Sequence, residues 1–167
     1  MTGSPVDPSD LVVTRVVRPG HDLLVTLEEY DLEAFGPTGL RTYDLAVMAR
    51  AGAVYLASVD EEIAGSCQIL RTLDESEFFY IVGFYVRPQW QGRGIGRAFL
   101  MEVATKVKEL GGQGLMLTVA PENAPAIRLY RSTGFVDEAF IPDFYGDGHD
   151  RHILRWRFDE GGLHGGV

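Results

Sequence analysis

Hydrophobic positions along the chain repeat with two different periods, and the changes between them divide the sequence into short elements. Runs of β-branched and aromatic residues bounded by turn residues predict β-strands, whereas apolar residues spaced three or four apart predict amphipathic helices. The predicted strands cover residues 11–17, 54–59, 63–73, 78–86, 115–119, 135–141 and 152–158. The predicted helices cover residues 22–35, 42–50, 94–110 and 124–132. The predicted order of elements is therefore β-α-α-β-β-β-α-β-α-β-β.

This order predicts one α/β (α+β) domain built on a mixed central sheet. The strand, helix and strand between residues 78 and 119 form a βαβ unit, so these two strands should run parallel. Hairpin turns join the other strands, which predicts a mostly antiparallel sheet of about seven strands with helices on both faces. The single domain is expected to span residues 11–158, between a flexible N-terminus at 1–10 and a flexible glycine-rich tail at 159–167.

A glycine-rich loop leads from the strand 78–86 into the next helix and has the sequence Gln91-Gly92-Arg93-Gly94-Ile95-Gly96. Glycines let backbone N–H groups approach an anion closely, and the N-terminus of a helix adds a favourable dipole. Arg93 and Arg97 place two positive charges at the same point. The loop is therefore predicted to bind a pyrophosphate.

The spacing of the glycines argues against two common nucleotide-binding loops. A Walker loop needs a Lys directly after its last Gly, and here Arg97 follows Gly96. A dinucleotide-binding loop needs a third Gly three residues after the second, and that position holds Arg97 or Phe99. The spacing that fits is Gln-x-x-Gly-x-Gly, so a nucleotide-phosphate enzyme is the least favoured function.

Downstream of the loop lies a second motif with the sequence Asn123-x-x-Ala126-x-x-Leu129-Tyr130-x-x-x-Gly134-Phe135. The two motifs, in this order and with a strand between them, resemble those of the GNAT superfamily of N-acetyltransferases across residues 11–158. The resemblance is strongest to the branch that acetylates protein or peptide N-termini. It implies a GNAT fold, acetyl-CoA as co-substrate, and direct attack by a primary amine of a peptide or a small molecule.

The resemblance also implies roles for individual residues. Pantetheine is expected to lie in a gap where the strand 78–86 parts from its parallel neighbour, with Gly83 marking a bulge in that strand. The resemblance further implies that Tyr130 contacts the cofactor and protonates the leaving thiolate, and that Asn123 binds the cofactor or caps its helix. The residues expected to bind acetyl-CoA are Phe84, Tyr85, Val86, Gln91, Gly92, Arg93, Gly94, Ile95, Gly96, Arg97, Asn123 and Tyr130.

The acceptor amine is expected between Tyr80 and Tyr145. Relatives place a base where this chain has Thr118, which cannot remove a proton at neutral pH, so Tyr80 is the catalytic candidate for a relay through water. A Tyr packed in a covered strand is the equal alternative. Phe144-Tyr145 partly matches an aromatic pair that holds peptides in N-terminal acetyltransferases. An α-amine with a pKa near 8 needs less help from a base than a lysine near 10.4, which favours a peptide or amino-acid α-amine.

Composition and charge limit which functions, locations and ligands are expected. The net charge of −9 and the pI near 4.8 disfavour nucleic-acid binding. The acidic surface is explained more simply by a need for solubility than by electrostatic attraction of a cationic amine substrate. No leader and no long apolar run are visible, which predicts a cytoplasmic protein without membrane contact. His149 and His152 lack further ligands at metal-binding spacing, so no metal is expected. Because Thr118 occupies the position where relatives have a base, a non-catalytic acyl-CoA sensor or interaction module stays open as an alternative. Assembly as a homodimer also stays open.

Overall fold

The computed structural model describes residues 4–159, and this part of the chain contains seven strands and four α-helices in the predicted order. The strands are β1 Val12–Arg15, β2 Ala53–Val59, β3 Glu62–Arg71, β4 Phe78–Val86, β5 Gly114–Val119, β6 Val136–Ile141 and β7 Arg151–Arg157. The helices are α1 His21–Phe35, α2 Thr42–Ala51, α3 Ile95–Glu109 and α4 Ala124–Thr133. The α/β fold class predicted from the sequence is confirmed.

The strands form one sheet in the order β1-β2-β3-β4-β5-β7-β6. β4 and β5 run parallel, as the βαβ unit predicts, and every other neighbouring pair is antiparallel. The last strand, β7, lies between β5 and β6, so the hairpin from β6 to β7 brings the turn at residues 142–150 beside the end of β5.

Two apolar cores cover the two faces of the sheet. One lies under α3 and α4, where the four-residue repeat of Phe99, Val103 and Val107 is fully buried. The other lies under α1 and α2, around Leu27 and Leu45. Burying one such side chain contributes about 1.5–3 kcal/mol, so these stripes fix which face each helix covers.

A β-bulge and an early end of pairing shape β4. Gln68 of β3 pairs with Gly83, but the next residue, Ile69, pairs with Ile81, so Val82 is the extra residue of the bulge. On its other edge, β4 pairs with β5 only from Phe78 to Tyr80. The predicted bulge and the predicted gap between β4 and β5 are both present, and Gly83 directly follows the inserted residue.

The ends of the domain differ in part from the expectation. β1 is shorter than the predicted strand 11–17 and ends at Arg15. Arg18, three residues later, adopts a left-handed conformation (φ 53°) that takes the chain out of the extended region. Within the N-terminus predicted to be flexible, Val6 N donates to Arg93 O at 3.1 Å, and Arg93 Nε donates to Ser4 O at 3.0 Å. Residues 1–3 and 160–167 of the two predicted flexible ends lie outside the described residues. Within the described range, no helix combines the length and the apolar character needed to cross a membrane.

Candidate active site

The gap between β4 and β5 exposes backbone groups of β4. Arg87 N donates to Ala64 O on β3 at 2.8 Å. Since backbone groups alternate in direction along an antiparallel strand, the N–H and C=O groups of Phe84 and Val86 point away from β3 and into the gap. Gln91 Nε2 donates to Val86 O at 2.8 Å, which confirms the direction of that carbonyl group. An extended ligand in the gap can therefore pair with β4 as a neighbouring strand would.

A cavity of about 620 Å³ continues this gap towards the glycine-rich loop. Every residue that the sequence predicts to bind acetyl-CoA lines it, except Arg93. The cavity is also lined by residues that were not among those predicted to bind acetyl-CoA. These are Glu33, Ala34, Phe35, Arg87, Pro88, Trp90, Pro125, Ala126 and Leu129.

The glycines of the loop serve different purposes. Gly94 precedes α3 in a left-handed conformation (φ 82°, ψ 0°), and a Cβ added there would meet nothing within 4 Å. Gly96 has no such conformation, but its Cβ would lie 3.1 Å from Leu129 Cδ2, so the absence of a side chain at Gly96 allows close packing of α3 on α4. The first bond of α3 runs from Ala98 N to Gly94 O, which leaves the preceding amides at the helix N-terminus without helical partners.

The two arginines of the loop point in different directions. The guanidinium group of Arg93 lies 4.7 Å from the centre of the Trp90 ring, and its Nε donates to Ser4 O. Arg93, which was predicted to bind the cofactor, thus does not line the cavity, although its partner Trp90 does. Arg97 does line the cavity, while its Nη1 donates to Ser132 O at 2.6 Å near the end of α4. Sequence spacing placed both charges at the loop but could not give the directions of the side chains.

Tyr130 lies where α4 meets the gap. Its ring is only 7% exposed and packs between Phe84, at 6.3 Å, and Phe135, at 5.5 Å between ring centres. Burial raises the pKa of the Tyr130 hydroxyl, so this group is a proton donor throughout the neutral range. Asn123 caps α4 by accepting a hydrogen bond from Ala126 N at 3.3 Å, and it also lines the cavity.

Tyr80, Thr118 and Tyr145 form a hydroxyl cluster on the α1 side of the sheet. The hydroxyl of Tyr80 lies 3.3 Å from Thr118 Oγ1, and that oxygen lies 3.5 Å from the hydroxyl of Tyr145. The pKa of Tyr80 is raised to about 12, chiefly by burial. The hydrogen bond with Thr118 acts to lower this pKa, and Tyr145 acts to raise it. Tyr80 is therefore protonated at neutral pH. The structure brings the two predicted acceptor residues together and gives Thr118 the bridging position.

Two carboxylates, Glu33 of α1 and Glu77 on the N-terminal side of β4, each lie beside an arginine. Glu33 of α1 lines the cavity and forms an ion pair with Arg87 at 3.5 Å, whereas Glu77 lies 3.9 Å from Arg157, close to the start of β4. Among residues 4–159, no group of three or more His, Cys, Asp or Glu side chains is arranged to hold a metal ion.

Comparison with known proteins identifies the class. Residues 21–135 match the model of the Acetyltransferase (GNAT) family. This match covers more than half of the chain, so the chain belongs to that family.

Named relatives include enzymes with different acceptors. The [ribosomal protein bS18]-alanine N-acetyltransferase of Salmonella typhimurium is 31% identical over 122 residues, covering 72% of this chain and 74% of that protein. The aminoglycoside N(6')-acetyltransferase type 1 of Stenotrophomonas maltophilia is 33% identical over 91 residues, covering 50% of this chain and 60% of that protein. The match to the mycothiol acetyltransferase of Thermobifida fusca spans 17% of that protein. The chain thus spans less than two thirds of some of the curated relatives it matches.

Solved structures show the same fold. Ard1 from Thermoplasma volcanium superposes with a TM-score of 0.77 at 17% identity, covering 90% of this chain and 99% of that one. The ribosomal-protein-S18-alanine N-acetyltransferase of Escherichia coli gives a TM-score of 0.73 at 19% identity, covering 93% of this chain and 100% of that one.

Proposed function

We propose that this protein transfers the acetyl group of acetyl-CoA to an α-amine of a peptide or amino acid. The observation that carries the proposal is the gap between β4 and β5. The amides at the start of α3 lie at one end of its cavity, and the hydroxyl cluster lies beside the residue where β4 and β5 part. Such a gap separates a site for an elongated phosphate-bearing molecule from a site for an acceptor.

The cavity fits acetyl-CoA in both shape and chemistry. The free amides of Ile95, Gly96 and Arg97 and the open space above Gly94 suit a pyrophosphate. The outward backbone groups of Phe84 and Val86 suit the amides of pantetheine, provided that Gln91 gives up its bond to the Val86 carbonyl. Acetyl-CoA supplies the thioester, whose carbonyl carbon is attacked by the amine.

The chain contributes orientation and one proton donor. The amine nitrogen forms the C–N bond, the C–S bond breaks, and the thiolate takes a proton from the Tyr130 hydroxyl. The amine releases its own proton to water, and Tyr130 then regains a proton from solvent. A backbone N–H of β4 in the gap can stabilise the negative charge that develops on the carbonyl oxygen.

The hydroxyl cluster favours an amine that is partly neutral at pH 7. The cluster consists of two phenols and one alcohol and contains no carboxylate or imidazole, and the pKa of Tyr80 is raised to about 12. An α-amine near pKa 8 is neutral in roughly one molecule in ten at pH 7, whereas a lysine near 10.4 is neutral in fewer than about one in a thousand. A site without a strong base therefore suits an α-amine. The bS18-alanine N-acetyltransferase relatives are named for an acceptor that fits this choice.

The test is a comparison of rates at pH 7 with saturating acetyl-CoA. Release of free CoA is followed with a short peptide that has a free N-terminus and no Lys, and with the same peptide blocked at the N-terminus and carrying one Lys. A blocked peptide without Lys is the control for hydrolysis of the thioester. We expect faster CoA release with the free N-terminus, and faster release with the blocked Lys peptide would reject the α-amine preference.

A further inference from the structure

A small polar cluster lies buried between α1 and the sheet, beside the bulge of β4. It consists of Asp31 of α1 and of Ser66 and Gln68 of β3, all with no exposed surface. None of the three belongs to a motif that the sequence indicates. The one available signal is the spacing of Asp31 four residues after Leu27, which places a carboxylate on the buried face of α1.

The carboxylate of Asp31 holds the amide of Gln68 in one orientation. Gln68 Nε2 donates to Asp31 Oδ2 at 3.2 Å and to Ser66 Oγ at 2.9 Å. Asp31 Oδ1 accepts a further bond from Leu40 N at 3.2 Å. Because an ionised carboxylate only accepts hydrogen bonds, the NH₂ group of Gln68 must face Asp31 and the carbonyl oxygen must face away.

That carbonyl oxygen, Gln68 Oε1, is buried and has no hydrogen-bond partner among the described residues. A buried acceptor without a partner costs about 1–3 kcal/mol. The oxygen faces Gly83, since a Cβ added to Gly83 would overlap it. Because Gly83 has no Cβ, the oxygen packs directly against its backbone beside the bulge. The ring of Phe35, which lines the cavity, lies 3.5 Å from the same added Cβ.

The Gln68 oxygen is on the acceptor side of the gap. Tyr80 and Gly83 lie on either side of the bulge, and β4 parts from β5 directly after Tyr80. The phenol of Tyr85 on β4 lies near Asp31 and also near Arg87 and Tyr30. The guanidinium group of Arg87 lies 3.7 Å from the centre of the Tyr30 ring. Burial raises the pKa of Asp31 to about 6, so Asp31 is mainly ionised at pH 7.

We propose that Gln68 Oε1 accepts a hydrogen bond from the N–H of the acceptor amine, and that Asp31 is a positioning residue that keeps this oxygen directed at Gly83. The inference rests on the proposed function, amine acetylation. The amine reaches the oxygen when the Phe35 ring, 36% exposed at the end of α1, turns aside. The bond orients the nitrogen beside the point where the two strands part.

The geometry allows a test in which the hydrogen-bond donor and acceptor at residues 31 and 68 are exchanged. In Asp31→Asn, one oxygen keeps the bond from Leu40 N, and the new NH₂ group meets Gln68. The Gln68 amide must then rotate, which turns a donor instead of an acceptor towards Gly83. The double variant Asp31→Asn/Gln68→Glu has the net charge of the wild type and restores an acceptor oxygen there.

The experiment measures kcat, KM for the amine and KM for acetyl-CoA by CoA release at pH 8, above the pKa of Asp31. The acceptors are a short peptide with a free N-terminus, spermidine and an aminoglycoside, and the comparison uses whichever is acetylated. We expect Asp31→Asn to raise the KM for the amine about tenfold, the value of one hydrogen bond to a charged partner. The KM for acetyl-CoA should stay unchanged, and the double variant should recover most of the loss. Glu29→Gln, which removes an exposed charge from the same helix, should match the wild type.

Two results would separate failure of this inference from failure of the function. Equal amine KM values in the wild type and folded Asp31→Asn would overturn the role of Gln68, while acetylation itself would stand. A wild-type protein that releases CoA with none of the acceptors would overturn the proposed function and this inference with it. If Asp31→Asn fails to fold, Gln68→Met removes the oxygen at similar volume, and an unchanged amine KM in that variant would also overturn the inference.

Discussion

Gly94→Val separates the role of the loop in binding from its role in the fold. Gly94 has φ 82° at the start of α3, and a left-handed conformation costs an L-residue about 1–2 kcal/mol. No atom lies within 4 Å of an added Cβ, so no steric cost is expected in the free protein. For a domain of this size we expect Tm to fall by roughly 2–8 °C, and the protein should remain folded.

The same substitution should strongly reduce binding of CoA. The valine side chain would project into the cavity beside the free amides of Ile95, Gly96 and Arg97. Each bond from such an amide to a phosphate oxygen is worth about 1.5–3 kcal/mol. Loss of two of them would weaken binding by about 3–6 kcal/mol, which is a factor of roughly a hundred or more in Kd.

Calorimetric titration with CoA, together with thermal denaturation, checks both parts. Gly94→Ala is the matched control, because it also places an L-residue at positive φ but adds only one methyl group to the open space. Its Tm should fall similarly while its CoA affinity falls less. If Gly94→Val is folded and binds CoA as the wild type does, the loop does not hold the pyrophosphate.

Three further predictions concern the acceptor side and the buried groups. Tyr130→Phe should lower kcat about a hundredfold without changing CoA affinity, because only the proton donor is removed; stopped-flow and calorimetry measure this, and an unchanged kcat would leave Tyr130 a packing residue. Tyr80→Phe and Tyr145→Ala should each raise the KM for the amine and spare that for acetyl-CoA, and full activity of both would reject the proposed acceptor site. The folded pKa of Asp31, about 6, exceeds its ordinary value of 3.8, so its stabilising contribution is present below pH 3.8 and lost as pH rises through 6. Relative to Asp31→Asn, the wild type should therefore lose about 3 kcal/mol of unfolding free energy between pH 3.5 and 7, measured by urea denaturation; a constant difference would contradict the raised pKa.

Local patterns predict much of this fold because they follow from short-range physics. The four-residue repeat in α3 places one apolar stripe on the sheet. Asp60 and Glu61 between two strand-like runs predict a hairpin, and both have positive φ, at 50° and 66°. The glycines around residue 94 indicate both a turn and a close approach of the backbone. Each of these features depends on residues that are near in sequence.

The rest of the site depends on contacts between distant residues. The direction of Arg93 is decided by Ser4 and Trp90, of which Ser4 is 89 residues away in sequence. Thr118 becomes a bridge because the last hairpin brings Tyr145 beside β5. The Gln68 amide is oriented by Asp31, which is 37 residues away. Sequence spacing cannot give such pairings, because they depend on strand order and on helix packing.

We propose that this protein acetylates an α-amine held beside the gap between β4 and β5. The most direct measurement uses one short peptide that carries both a free N-terminus and an internal Lys, incubated with acetyl-CoA and the protein at pH 7. Fragmentation by mass spectrometry then locates the first acetyl group added, with a reaction lacking the protein as the control. We expect acetylation of the N-terminal nitrogen, and acetylation of the Lys side chain in its place would reject the α-amine as the acceptor.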